Sequence, residues 1–303
     1  MNAENQSEMI GLLIPGIGVA YNKVFQSMRA YRIFHDFCNR ANIDRKYLNA
    51  TFDTNDIIYW ISDSLENQKR SYVINCAMSD IYQTRGISFN CIVGYSMGIY
   101  AALYAGGFYS FETGLGILEN AFQMISSYCR NIPNTYGMAI ILGLNEREMI
   151  KHLISRFGTA VEISVFNGKR AFVISGEVGP VQLCREYAVQ MGAMGVRSIY
   201  TQHPYHSSIL KGVSQLFIDY LGSIEFLYPK CHVLSPIDGE LISKNNVADI
   251  ISCAIYTPLH FDRVIELLVS RHGVTTCYET GPKDSMKKLV RYINKNVTVH
   301  PFI

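Results

Sequence analysis

The chain has 303 residues, 49% hydrophobic and 17% charged. That is enough apolar material for one large or two modest cored domains, and too much for wholesale disorder. Lys+Arg 27 against Asp+Glu 25 leaves a formal charge of +2, which excludes a strongly basic polyanion binder, so no nucleic-acid partner is expected. The eight cysteines are scattered without a C-x-x-C pair. No metal site is expected, and the pattern suits reduced, buried thiols in a cytoplasmic protein. The N-terminus Met1-Asn2-Ala3-Glu4-Asn5 has no basic segment of the kind a signal peptide needs.

In chain order, Ile10 to Ile14 is a short apolar run ending at Pro15-Gly16, a buried strand and a turn. Residues 22–38 carry helical spacing (Val24, Met28, Ile33, Phe34, Phe37), as do residues 56–84 around Ile57, Ile58, Trp60, Ile61, Val73, Ile74, Ala77 and Ile81. No charged residue falls between Arg85 and Glu112. That length could cross a bilayer, but the run holds Asn90, Ser96 and several glycines and tyrosines, and breaks at Gly94. A buried strand at 89–93 and a buried helix at 97–106 explain it better, so no membrane association is expected. A helix from Phe111 to Cys129 follows, with Leu115, Leu118, Phe122 and Ile125 on one face.

Past the polar linker Asn131 to Tyr136 the texture changes. Strand 138–142, helix 145–157, strand 161–166, an Asn167-Gly168 turn, strand 171–175, helix 179–191 and strand 196–200 make a βαββαβ order, the ferredoxin-like pattern. The remainder reads as helix 207–222, strand 231–235, helices 247–255 and 261–272, strand 275–279 and helix 283–293. The expected architecture is α/β: a hydrolase-like large domain with a parallel sheet, formed by 1–131 and 204–303, with an inserted ferredoxin-like subdomain at 132–203.

Within the uncharged stretch stands Gly94-Tyr95-Ser96-Met97-Gly98. The pattern G-x-S-x-G between a strand and a helix is a nucleophile elbow. The sharp turn exposes the serine hydroxyl at a helix N-terminus, and small flanking residues let the two backbones approach. The pentapeptide alone is a weak signal; its strand–turn–helix setting gives it weight. A nucleophilic serine needs a base. Two histidines, His203 and His206, stand together where the chain leaves the small domain, and domain junctions are common cleft positions.

These blocks together resemble the acyl-carrier-protein acyltransferases, the malonyl transacylase family of fatty-acid and polyketide synthesis. Pro15-Gly16-Ile17-Gly18 resembles that family's P-G-Q-G, and Gly94 to Leu103 its G-H-S-L-G-E-Y-A-A-L. Pro204-Tyr205-His206-Ser207 is similar to its P-F-H-S. Phe166-Asn167 with Val173 to Gly176 is similar to its small-domain hairpin, and Glu279-Thr280-Gly281-Pro282 to its E-x-G-P. The resemblance implies a ping-pong mechanism in which Ser96 takes an acyl group from a thioester and His206 serves as general base and then acid. It implies an oxyanion hole of the Ile17 and Met97 backbone amides, and a histidine oriented by the Ala254 carbonyl rather than by an acid. It implies no permanently bound cofactor. Coenzyme A or phosphopantetheine thioesters are the implied substrates, an acyl carrier protein the partner, and a monomer the expected state.

The departures are informative. Malonyl-type members clamp the free carboxylate with an arginine about 25 residues after the serine, as a bidentate pair. Here that position is Ala121, and neither Asn120 nor Phe122 beside it is basic. An uncharged acyl group is therefore expected, with Ala121 and Tyr205 in its pocket and Tyr205 limiting branching next to the carbonyl. Three other functions fit parts of this pattern. A hydrolase would release acyl groups from carrier proteins at nearly the same site. A non-catalytic docking homologue would not need both Ser96 and His206. An ordinary α/β-hydrolase esterase would want an acid beside the base. Lys283, Lys287, Lys288 and Arg291 at helical spacing are either a docking face for an acidic carrier or a solvated helix face.

Overall fold

Alternation sets which residues of the first strand face which core. In β1 (Ile10–Ile14) the side chains of Leu12 and Ile14 enter one buried cluster and Leu13 enters another. The computed structural model describes residues 8–18, 21, 24, 27–44 and 61–302. Its further elements are α1 (Arg32–Arg40), α2 (Leu65–Thr84), β2 (Cys91–Gly94), α3 (Gly98–Ala105), α4 (Phe111–Asn131), β3 (Tyr136–Leu142), β4 (Val161–Phe166), β5 (Ala171–Glu177), α5 (Val178–Gln190), β6 (Gly195–Ile199), α6 (Ser214–Leu221), β7 (His232–Leu234), α7 (Val247–Ala254), β8 (Leu259–His260), α8 (Phe261–Ser270), β9 (Thr276–Glu279), α9 (Ser285–Ile293) and β10 (Thr298–His300).

The strands form two sheets. The larger runs β10-β9-β1-β2-β7 and is parallel throughout. The chain builds outward from β1 through β2 to β7, then returns to the other side of β1 with β9 and β10. In such sheets, ligands bind beyond the carboxyl ends of the strands where the winding reverses. The smaller sheet runs β6-β3-β5-β4-β8. Its first four strands are antiparallel in the ferredoxin-like order. Two-residue β8, too short to carry a sequence pattern, adds a parallel fifth strand from beyond residue 203.

The two sheets share a core. Leu13 and Val93 from the large sheet pack with Met138, Val165 and Val173 from the small one, and with Phe261 and Ile265 of α8. The other face of the large sheet is covered by α2, α3 and α4. Helix α2 is buried on all sides and has no polar face, so its polar residues need partners. It starts at Leu65, where Ser64 accepts a hydrogen bond from the Asn67 N–H at 3.2 Å. The expected helix over 56–84 is thus broken at residues 62–64; Ile57, Ile58 and Trp60 lie outside the described residues, as do residues 22, 23, 25 and 26 of the expected first helix.

Three other expectations change. In place of a helix over 145–157 there is a wide π turn, Glu148–Leu153, followed by two short 3-10 turns. Asn145 and Glu148 cap its start reciprocally; Met149 and Leu153 are buried in the core, while Ile154 and Phe157 pack only partly buried against its edge, so few full anchors hold a regular helix there. The Asn167-Gly168 turn opens into a four-residue connection, 167–170, with Gly168 at φ 137°. The segment expected as helix 207–222 splits into a 3-10 turn, Ser208–Val213, and α6. Among the described residues no helix is long and apolar enough to cross a membrane; the uncharged stretch divides into β2, a turn and α3.

Candidate active site

Register brings two turns together at the carboxyl ends of adjacent strands. Ile14 of β1 is paired with Gly94 of β2, so the Pro15–Gly18 turn and the Ser96 turn are neighbours. Ser96 lies between β2 and α3 at φ 53°, a left-handed conformation that costs a non-glycine residue about 1–2 kcal/mol. The flanking glycines make the turn possible. A Cβ on Gly94 would lie 2.6 Å from the backbone of Gly98 and Ile99, and one on Gly98 would lie 2.4 Å from the Ile14 carbonyl oxygen. Behind the Pro15 turn, buried Asn75 of α2 accepts from Thr280 Oγ1 at 2.8 Å and from the Tyr21 hydroxyl at 3.2 Å.

The structure places His206 against this turn. Ser96 Oγ lies 2.8 Å from His206 Nε2, and His206 Nδ1 lies 2.6 Å from the Ala254 carbonyl oxygen. A carbonyl only accepts, so Nδ1 carries the proton. Nε2 then offers its lone pair to the serine hydroxyl. Ala254 closes α7, so its oxygen stands at the negative end of a helix dipole. His206 is itself at φ 58°, held by its N–H to the Ile255 carbonyl at 2.7 Å and by Ser175 Oγ donating to the Tyr205 carbonyl at 2.7 Å. Burial of the imidazole disfavours its charged form, and the Ala254 bond offsets only part of this, so its pKa falls from 6.5 to about 4.

His203 sits elsewhere. Its Nδ1 donates to Asp63 Oδ2 at 2.8 Å, and its Nε2 accepts from Ser126 Oγ at 3.1 Å. Asp63 gathers further donors: Thr201 Oγ1 at 2.7 Å, the Tyr205 hydroxyl at 3.0 Å and, on Oδ1, Gln68 Nε2 at 2.7 Å. Among the described residues, the acid–histidine pair near the site therefore belongs to the histidine that does not reach Ser96. Sequence reading missed Asp63 and Gln68. Asp63 stands among polar residues just ahead of a helix, and Gln68 interrupts no motif, so no local signal marks them.

Two hollows meet at Ser96 and His206. One is walled by Ala121, Phe122, Ile125, Ile99, Ile251 and Ile255, with Gln68, Tyr100 and Tyr205 also in its lining. The other opens between the two sheets at Met138, Val165, Val173 and Ile199. Ile17, Tyr205, Ser96 and His206 border both. The structure thus brings together Ser96, His206, Ala254, Ile17, Met97, Ala121 and Tyr205. Among the described residues no lysine or arginine lines either hollow. Buried Arg70 is bound to Glu66 at 3.1 Å and to Asn67 Oδ1 at 2.9 Å. Tyr95, beside the serine, is tied to the small sheet by Asn167 Nδ2 at 3.1 Å and stacks edge-on against Phe261.

Glu279 stands apart from the reacting groups. It is fully buried, its Oε2 accepts the Met286 N–H at 2.6 Å near the start of α9, and among the described residues its Oε1 meets no hydrogen-bond partner. Burial raises its pKa from 4.5 to about 7. No metal site was expected from cysteine and histidine spacing, yet Cys91, His232 and His272 converge with ligand atoms within 4.8 Å of one another. Cys91 opens β2 and Ser96 follows its end, so this cluster is at the opposite end of the strand from the serine.

No protein-family profile matches the chain. It is 26% identical over 226 residues to a malonyl CoA-acyl carrier protein transacylase of Bacillus subtilis (strain 168), covering 73% of this chain and 70% of that one. The chain is thus similar to the malonyl transacylases, and this likeness supports an acyltransferase. An acyl-carrier-protein S-malonyltransferase from Burkholderia pseudomallei 1710b shares its fold, with a TM-score of 0.83 at 23% identity over 97% of this chain and 96% of that one. So does PlMCAT:AntF, a malonyl-transacylase in complex with a type II PKS acyl-carrier protein, with a TM-score of 0.83 at 19% identity over the same shares.

Proposed function

We propose that this protein is a serine acyltransferase that moves a non-carboxylated acyl group, acetyl, fatty acyl or a polyketide intermediate, to or from an acyl carrier protein. The observation that carries the reading is the hollow beside Ser96: an apolar space with Ala121 in its wall and, among the described residues, no cation facing it. A carboxylate brought into such a space would lose its hydration without a partner, while an uncharged acyl chain would be favoured there.

In this reading His206 Nε2 takes the proton from Ser96 Oγ as the oxygen attacks the thioester carbonyl. The carbonyl oxygen, now an oxyanion, is held by the Met97 and Ile17 amides. The tetrahedral adduct collapses, and the proton on Nε2 passes to the departing thiolate of coenzyme A or phosphopantetheine. The acceptor's thiol then gives its proton to Nε2 and attacks the acyl-serine; as the acyl–Oγ bond breaks, Nε2 returns the proton to Ser96 Oγ and the new thioester leaves. Ala254 accepts from Nδ1–H throughout, holding the tautomer and stabilising the imidazolium that forms in each half-reaction. The large unit, 1–131 and 204–303, supplies the reacting groups in this reading, and the 132–203 insertion walls the second hollow.

An acyl carrier protein is the partner this reading requires, as the PlMCAT:AntF complex exemplifies in a protein of the same fold. The exposed Lys287, Lys288 and Arg291 of α9 offer it a basic face. The free, mostly buried cysteines suit a reducing, cytoplasmic setting. The test is to incubate the protein with acetyl-, butyryl-, octanoyl- and malonyl-coenzyme A, follow acyl-enzyme mass, then add a holo acyl carrier protein and follow transfer. Loading of the uncharged groups, absent in Ser96→Ala, with transfer to the carrier, is expected. Malonyl loading equal to acetyl would overturn the reading of Ala121. Rapid release of free acid without an acceptor would make the enzyme a hydrolase.

A further inference from the structure

Gln68 and Tyr100 both line the hollow beside Ser96, and each has one polar atom that bonds no other described residue; the two atoms are complementary in chemistry. Gln68 and Tyr100 are 5% and 7% exposed. The orientation of the Gln68 amide is fixed by its partners. Its Nε2 is 2.7 Å from Asp63 Oδ1, an acceptor, and 3.1 Å from the Tyr205 hydroxyl oxygen, whose own hydrogen goes to Asp63 Oδ2 at 3.0 Å. A flipped amide would set its oxygen against the carboxylate. Gln68 Oε1 is therefore the atom left over, and among the described residues no donor reaches it. Gln68 lines the hollow beside Ser96. Tyr100 lines the same space, and its hydroxyl bonds no described residue. The Tyr100 backbone is engaged: its carbonyl accepts from the Tyr109 hydroxyl at 2.8 Å and its N–H donates to the Met97 carbonyl at 3.3 Å.

The wall thus presents one acceptor and one hydroxyl able to donate. A purely aliphatic chain would exclude water from both and replace it with nothing. A carboxylate or keto oxygen, being acceptor only, could take the Tyr100 proton but would confront the Oε1 lone pairs. An alcohol satisfies both at once, donating to Gln68 Oε1 and accepting from Tyr100. We infer that Gln68 and Tyr100 form a hydroxyl-recognition pair, so that the site prefers hydroxyacyl thioesters to their deoxy counterparts. Asp63 acts through Gln68: by binding Nε2 it turns the amide so that an acceptor, not a donor, faces the substrate.

This inference rests on the acyltransferase reading of the site, and the experiment separates the two. The rate of Ser96 acylation is measured by intact mass with butyryl-coenzyme A and with each enantiomer of 3-hydroxybutyryl-coenzyme A. In the wild type one hydroxy enantiomer is expected to load about ten-fold faster than butyryl, or more. That ratio should collapse toward one in Tyr100→Phe, which removes an oxygen bonded to no described residue, and in Gln68→Met, which keeps the side-chain length and removes the acceptor. Equal loading of butyryl and both hydroxybutyryl groups by the wild type overturns the pair while leaving the acyltransferase intact; so does a ratio unchanged in both variants, as when an ordered water occupies the two groups. Failure of every thioester to load overturns the acyltransferase reading and this inference with it.

Discussion

The acid limb of acyl-enzyme formation tests the electrostatics of the His206 site most directly. The imidazole must be neutral to accept the Ser96 proton, and burial places its pKa at about 4 rather than 6.5. At pH 5.5 an ordinary histidine would be only about 10% neutral, whereas one with a pKa of about 4 would be about 97% neutral. The single-turnover rate of Ser96 acylation, followed by quenched intact mass between pH 4 and 8, should thus be nearly level from pH 7.5 to 5.5 and halve only near pH 4. A ten-fold fall between pH 7.5 and 5.5 would show the imidazole to be hydrated in the free enzyme. It would refute the argument that burial outweighs the Ala254 bond. The same depression has a thermodynamic sign. Between pH 4 and 6.5 the unfolded chain binds more protons at this histidine than the folded one, so its contribution to stability is present above pH 6.5 and is lost as pH falls toward 4, a total of about 3 kcal/mol.

Glu279 should oppose that slope. Its pKa of about 7 exceeds 4.5, so the folded state binds the extra proton, and its contribution is full below pH 4.5 and is lost as pH rises through 7. Urea unfolding of Glu279→Gln across pH 4.5–6.5 should therefore show steeper acid destabilisation than the wild type; parallel curves would contradict the raised pKa. Ala121→Arg buries a guanidinium in the hollow, and denaturant melts should show a loss of about 2 kcal/mol or more while malonyl loading rises. No gain in malonyl loading by a folded variant would show that residue 121 does not meet the end of the acyl chain. Gly98→Ala forces a Cβ to within 2.4 Å of the Ile14 carbonyl oxygen, and a loss of about 3 kcal/mol or more is expected in the same melts. Ser96→Gly releases the left-handed strain at φ 53° while losing one hydrogen bond, so a Tm no lower than the wild type is expected, with no acyl-enzyme formed.

Much of the framework was legible in the residues because it rests on local rules. The apolar runs at Ile10–Ile14 and Cys91–Gly94, the glycines around Ser96 and the βαββαβ alternation after residue 132 each state their conformation within a few residues. Short or weakly anchored pieces did not. Two-residue β8 has no period to read, and the 148–160 segment has too few core contacts for its pattern to separate a helix from wider turns.

What the sequence by itself determined is the turn at Ser96 and the absence of a basic residue at position 121, because both are properties of a single stretch of chain. Only the tertiary structure decided which histidine meets Ser96. His203 and His206 are three residues apart, yet one is claimed by Asp63 and the other by Ala254. The partners lie 140 and 48 residues away along the chain. The same folding turned the Gln68 amide. Hydrogen-bond partners of this kind are chosen by three-dimensional proximity inside a low-dielectric core, where an unmatched buried polar atom is costly, and no periodicity in the chain records that choice.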